Sequence, residues 1–181
     1  QRPYTWGERE VRQLIEDLRA AFRRGATFYF IGQIVLVKNS RGKFEISDGQ
    51  QRLATLTMVI AYVRDRLGAR GEPFHALILD GDQPRLMLRE DDANFFRGFV
   101  HEAGRMAELA KHAETGSDSK DQLCVAAATI EAELSKIADN GELEKFMAYV
   151  VRCCTLNVVD ADERGCAQTV FHSLNMHGSP L

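Results

Sequence analysis

The stretch Ile46-Ser47-Asp48-Gly49-Gln50-Gln51-Arg52-Leu53-Ala54-Thr55-Leu56 (ISDGQQRLATL) changes character at its centre. Upstream, Lys43-Phe44-Glu45-Ile46 has the composition of a strand; downstream, Leu53, Leu56, Ile60, Val63 and Leu67 recur at helical spacing. A strand that turns through Asp-Gly into a long amphipathic helix sets the class as α+β. It also puts Arg52 in the first turn of that helix. The helix dipole is already positive there, so a cation is disfavoured by about 0.3–1 kcal/mol unless an anion arrives.

Two accounts of Asp48–Arg52 use the same geometry. In the local one Asp48 is the N-cap, Gly49 opens the helix, Gln51 closes a capping box, and Arg52 pairs with Asp48 four residues back. In the functional one, first-turn N–H groups, a glycine that lets oxygens approach, two amides and a guanidinium converge on an anion. Arginine suits phosphate because its planar fork donates two hydrogen bonds at once. The spacing is not that of a P-loop.

Working outward, the chain begins Gln1-Arg2-Pro3-Tyr4-Thr5-Trp6. If extended, Arg2, Tyr4 and Trp6 share a face and could hold a phosphate and stack a base; alternatively Tyr4 and Trp6 pack on the core. Thr5 and Glu8 fit a capping box for a helix burying Val11, Leu14, Ile15, Leu18 and Phe22 and stopping at Gly25. Residues 27–31 and 33–38 are β-rich around Gly32, a candidate bulge, and Asn39–Gly42 turns the second of them into a hairpin with Lys43–Ser47. A second hairpin is expected from Ala76–Asp80 and Arg85–Leu88. Helices are expected over residues 49–67, 91–113, 122–138, 142–149 and 162–174, with Asn140-Gly141 as a breaker and a strand at 153–159. The first half is therefore a small mixed sheet with helices and the second half mainly helical.

The chain has 181 residues, 45% hydrophobic and 27% charged, with a net charge of −3, which describes an ordinary globular protein rather than a basic nucleic-acid glove. Cys124, Cys153, Cys154 and Cys166 show no zinc spacing and suit a reducing cytosol, so a cytoplasmic protein is expected. The vicinal pair at 153–154 is expected in a strand, thiols on opposite faces. No signal peptide or membrane-length apolar run is present. Asp160, Asp162 and Glu163 could ligate Mg²⁺ or simply be acids at a helix start. The ends, Gln1 and Gly178-Ser179-Pro180-Leu181, suggest a fragment of a longer protein.

Three segments in order, QRPYTW, then FIGQIVL leading into ISDGQQRLATL, then FHSLNMHGSPL, resemble the N-terminal domain of the GmrSD-type, DGQQR-containing restriction proteins. The resemblance runs from Gln1 to Leu181 and implies a fold similar to the ParB/sulfiredoxin-like superfamily. It divides the chain into a nucleotide-binding core over residues 1–90 and a mainly helical portion over 91–181, with Asn175–Leu181 returning to the core. It implies an NTP-binding and NTP-hydrolysing domain in a bacterial phage-defence protein that acts on modified DNA. The nucleotide would be GTP or ATP, with Mg²⁺. Asp48, Gln51 and Arg52 would be catalytic; Gln1, Arg2, Tyr4, Trp6, Gly49, Gln50, Arg52, Asn175 and His177 would bind nucleotide or phosphate. His177 stands where the family has Arg, replacing a guanidinium by a weakly basic imidazole. Gln50 occupies the position at which sulfiredoxin-like proteins need a reactive Cys, so thiol redox chemistry is not expected. His75, His101, His112, His172 and His177 lack the spacing of the family's metal nuclease, which places DNA cutting in a separate domain or subunit. The alternative is a non-catalytic module that binds DNA backbone or senses it through the same basic residues. A copy that binds without turnover, serving assembly, is a third.

Overall fold

The computed structural model describes residues 2–39, 42 and 44–161, and their contacts divide them into two compact units that interleave along the chain. One is helical, Arg2–Tyr29 with Gln51–Cys154; the other is a sheet unit, Phe30–Gln50 with the described residues from Thr155 on.

In the helical unit, α1 (Glu8–Arg23) buries Val11, Ile15 and Leu18, while Leu14 and Phe22 are half-buried. The helix starts later than Thr5–Glu8 suggests. Gly7 is the N-cap and the Glu10 carboxylate accepts its N–H at 3.0 Å, because the Thr5 amide is engaged elsewhere. Gly25, at φ 62°, ends α1 as expected. The next helix, α2 (Gln50–Leu67), buries Ala54, Thr55, Met58, Val59, Ala61 and Val63 completely, so it is a core helix rather than a one-sided amphipathic one. A 3₁₀ turn (Gly68–Gly71) and α3 (Glu72–His75) follow.

The second hairpin is shorter than expected: β3 (Leu79–Asp80) pairs with β4 (Gln83–Pro84) through Gly81-Asp82. One further bond lies beyond these pairs, the Arg85 N–H donating to the Ile78 carbonyl at 3.0 Å. The helix expected over 91–113 is broken into α4 (Glu90–Phe96), a π-helical turn (Arg97–His101) and α5 (Met106–Leu109). The break has a distant cause. Buried Arg64 donates to the carbonyls of His101 and Glu102 at 3.1 and 2.9 Å, and the Asp65 carboxylate accepts from the Gly104 and Met106 N–H groups at 2.8 and 3.0 Å. These side chains satisfy the backbone groups that a continuous helix would have paired internally.

α6 (Asp118–Leu134) and α7 (Asn140–Cys153) complete the helical unit. Asn140-Gly141 opens α7 instead of breaking a helix, because Asp139 caps it by accepting the Glu142 N–H at 2.9 Å. α1 packs on α6 and α7, and α4 and α5 pack on α6.

In the sheet unit, β1 (Tyr29–Lys38), β2 (Phe44–Asp48) and β5 (Cys154–Ala161) lie in the order β2-β1-β5. The β1–β2 hairpin is antiparallel, pairing Lys38 with Phe44 and Leu36 with Ile46. Its irregularity falls between Val35 and Leu36, whereas β1 runs through Gly32 without interruption. Cys153 ends α7 and Cys154 starts β5, so the vicinal thiols do not alternate within one strand. The helix expected at 162–174 and the segment Asn175–Leu181 lie outside the described residues. Among the described residues no helix is long and apolar enough to cross a membrane.

Candidate functional site

The expected site residues part company at the middle of the DGQQR run, where the chain passes from the sheet unit to the helical one between Gln50 and Gln51.

On the sheet side, Asp48 is the last residue of β2, paired with Val35 and half-buried. It is not adjacent to the helix as an N-cap would be, since Gly49 stands between it and the start of α2 at Gln50. Gly49 has φ 84°, and a Cβ there would lie 2.5 Å from Ile34 Cγ2 and 3.0 Å from the Gln33 carbonyl oxygen. Only glycine fits this turn. Gln50 is buried at 7% exposure, so its amide is not presented at the surface as a phosphate ligand.

On the helical side the arrangement is a strap. Residues Arg2–Gly7 run without regular structure before α1, and Gln51 holds them. Gln51 Nε2 donates to the Pro3 carbonyl at 2.8 Å, and Oε1 accepts the N–H groups of Thr5 at 2.8 Å and Trp6 at 3.4 Å. Gln51 is therefore not the capping-box partner expected from local spacing. Tyr4 is 1% exposed, its hydroxyl 2.8 Å from Thr55 Oγ1, and burial raises its phenol pKa against the pull of that hydrogen bond. It is a core residue rather than a wall open to a base. Thr55 Oγ1 in turn donates to the Gln51 carbonyl at 2.9 Å.

The other two residues of the candidate site are a cation and an aromatic ring. Trp6 and Arg52 are both half-buried, and the guanidinium carbon lies 6.0 Å from the Trp6 ring centroid. At that distance the ring's quadrupole attracts the cation, which offsets part of the cost of a positive charge at the helix N-terminus. Arg2 is exposed at the start of the strap. Gln1, Asn175 and His177 lie outside the described residues. Among the described residues no three His, Cys, Asp or Glu side chains converge as metal ligands; Asp160 is exposed on β5, and Asp162 and Glu163 are not described.

Sequence spacing put Gln51 in the anion site, whereas its partners lie 45 to 48 residues away along the chain. A strand-like hexapeptide with two aromatics and no regular partner was the only available signal. No curated protein matches the chain. The family described as the GmrSD restriction endonuclease N-terminal domain matches over residues 1–181. Spanned from end to end by that match, the chain belongs to the GmrSD restriction endonuclease N-terminal-domain family, a domain of restriction-system defence proteins.

Proposed function

We propose that the first turn of α2 binds the phosphates of a nucleoside triphosphate through Arg52, with Trp6 beside them, and that the domain hydrolyses the nucleotide in the service of phage defence. The observation that carries this is the Arg52 guanidinium set at the positive end of an 18-residue helix and held over Trp6. Phosphate oxygens placed there would gain from the positive end of the helix dipole and from the guanidinium's paired N–H donation. The indole also offers a stacking surface for a base. Mg²⁺ would arrive with the nucleotide, held mainly through its phosphate oxygens. DNA cutting would belong to a nuclease part beyond this domain.

The test is nucleotide binding and phosphate release by the chain and by Arg52→Ala. Loss of the guanidinium is expected to weaken ATP or GTP binding by about tenfold or more, the worth of one charge-assisted bidentate contact. Equal binding by both proteins removes the site. Binding of DNA instead, weakening steeply as salt rises, would identify a backbone-phosphate module.

A further inference from the structure

We propose that Gln51 is a positioning residue, acting on a bound nucleotide through the strap and not by touching phosphate; this rests on the nucleotide reading of Arg52. Three bonds hold its side-chain amide in one orientation. Oε1 faces two N–H groups and Nε2 faces a carbonyl, and a flipped amide would set NH₂ against both N–H donors.

A second connection runs parallel to the first. Thr55 gives its hydroxyl hydrogen to the Gln51 carbonyl, which leaves Tyr4 to donate to Thr55. The strap is thus fastened to the first two turns of α2 at Pro3, Tyr4, Thr5 and Trp6. Each of the four is adjacent to another along the chain, so the backbone of Trp6 has little freedom left. The consequence reaches the next residue of the helix. Arg52 is the cation that meets the Trp6 ring, and the backbone that carries that ring is held by Gln51. An invading phosphate meets a pair already in place rather than two mobile side chains, which saves the entropy of ordering them on binding. Two consecutive glutamines that look like twin phosphate ligands have become one buried residue and one fastener.

Trp6 is the single tryptophan of the chain, so its emission reports the strap directly, with or without nucleotide. The variants are Gln51→Leu, which loses all three bonds, Gln51→Glu, which keeps the acceptor and loses the donor, and Thr5→Pro, which removes one N–H from the other side of the clamp. In the nucleotide-free chain, Gln51→Leu is expected to red-shift Trp6 emission and increase its quenching by acrylamide, with Gln51→Glu intermediate and Thr5→Pro in the same direction. With ATP or GTP, Gln51→Leu should raise KM about tenfold while kcat stays within about twofold, because uniform binding is lost and the chemical step is not. An unchanged Trp6 emission overturns the clamp. A collapse of kcat at unchanged affinity overturns positioning and makes Gln51 catalytic. If the unsubstituted chain binds no nucleotide, the nucleotide reading fails and positioning fails with it, while a Trp6 shift would still register the clamp as architecture. Should Gln51→Leu not fold, Thr5→Pro decides, since it leaves α2 intact.

Discussion

The helical unit and the sheet unit spend their apolar residues differently. In the first, Val11, Ile15, Leu123, Ile130, Leu134 and Phe146 have no exposed surface, and helices converge on them from several directions. In the described part of the second, the buried cluster is Val35 and Val37 with half-buried Val159, while Phe30, Phe44 and Val158 are each more than half exposed. Dense packing fixes side chains through many small contacts, and a thin layer fixes few. The DGQQR run crosses from one regime to the other. On its sheet side, position is held by backbone conformation at Gly49, where any side chain would collide; on its helical side it is held by the Gln51 amide and the Tyr4–Thr55 pair. Arg52 therefore stands on the side where its neighbours are anchored.

A pair of truncations separates the two units most strongly. Phe146→Ala removes a ring with no exposed surface that meets Phe22 edge-on at 5.7 Å, and it should lower unfolding stability by about 3–5 kcal/mol. Val37→Ala, in the thin cluster, should cost about 1–2 kcal/mol, the worth of two methyl groups. Urea denaturation followed by circular dichroism measures both. Equal losses would mean the sheet is as tightly consolidated as the helices. A smaller effect is expected at Glu133, whose carboxylate is 2% exposed and meets Lys136 at 2.6 Å, Arg12 at 3.3 Å and Arg19 at 3.4 Å. Glu133→Gln leaves Arg19 without its counter-charge, yet Arg12 and Lys136 reach solvent, so a loss of about 2 kcal/mol is expected, below that of a fully buried pair. No change in the urea midpoint would mean the three cations are held by something other than this carboxylate.

How much of this could be read from the sequence follows the range of the interactions responsible. α1 and α2 were legible because their apolar spacing is local and long. The β1–β2 hairpin was legible from the turn at Asn39–Gly42 and the β-rich runs on either side. The break after α4 was not, because Arg64 and Asp65, 37 to 41 residues upstream, create it. Local propensity alone favoured one helix there. Capping residues were misplaced by one or two positions for a related reason: Thr5 and Asp48 are both residue types that cap helices, and whether they do so depends on what else their backbones bond. At the site, Arg52 and Trp6 were chosen for their chemistry and are brought together. Tyr4, Gln50 and Gln51 were chosen on the same grounds and are occupied by structure instead. A polar side chain's chemistry is visible in its name, but its prior commitments are visible only in three dimensions.

Two buried polar groups of the helical unit, Glu133 and His101, are held in contrasting ways. Glu133 is surrounded by cations; His101, 5% exposed at the end of the π-helical turn, has no hydrogen bond of normal geometry to either ring nitrogen among the described residues. Its ring lies edge-on to Phe96 at 5.3 Å. Burial, then the nearby Arg97 and Arg64 charges, push its pKa down from 6.5 to about 4, with Glu102 and the Leu86 backbone opposing. The sign follows from which state takes up the proton. Well above pH 6.5 the imidazole is neutral both folded and unfolded and contributes nothing to the pH dependence. Between 6.5 and about 4 the unfolded chain binds a proton that the folded one refuses, so stability falls as the pH is lowered. His101→Leu, which fills the site without a titratable ring, should therefore flatten this part of the acid profile, with the two proteins' pH slopes converging well above pH 6.5. Urea midpoints at about pH 7 and about pH 5 measure it. Identical losses on acidification would show that the ring reaches water when protonated, and that the interior of the helical unit yields there as readily as the sheet.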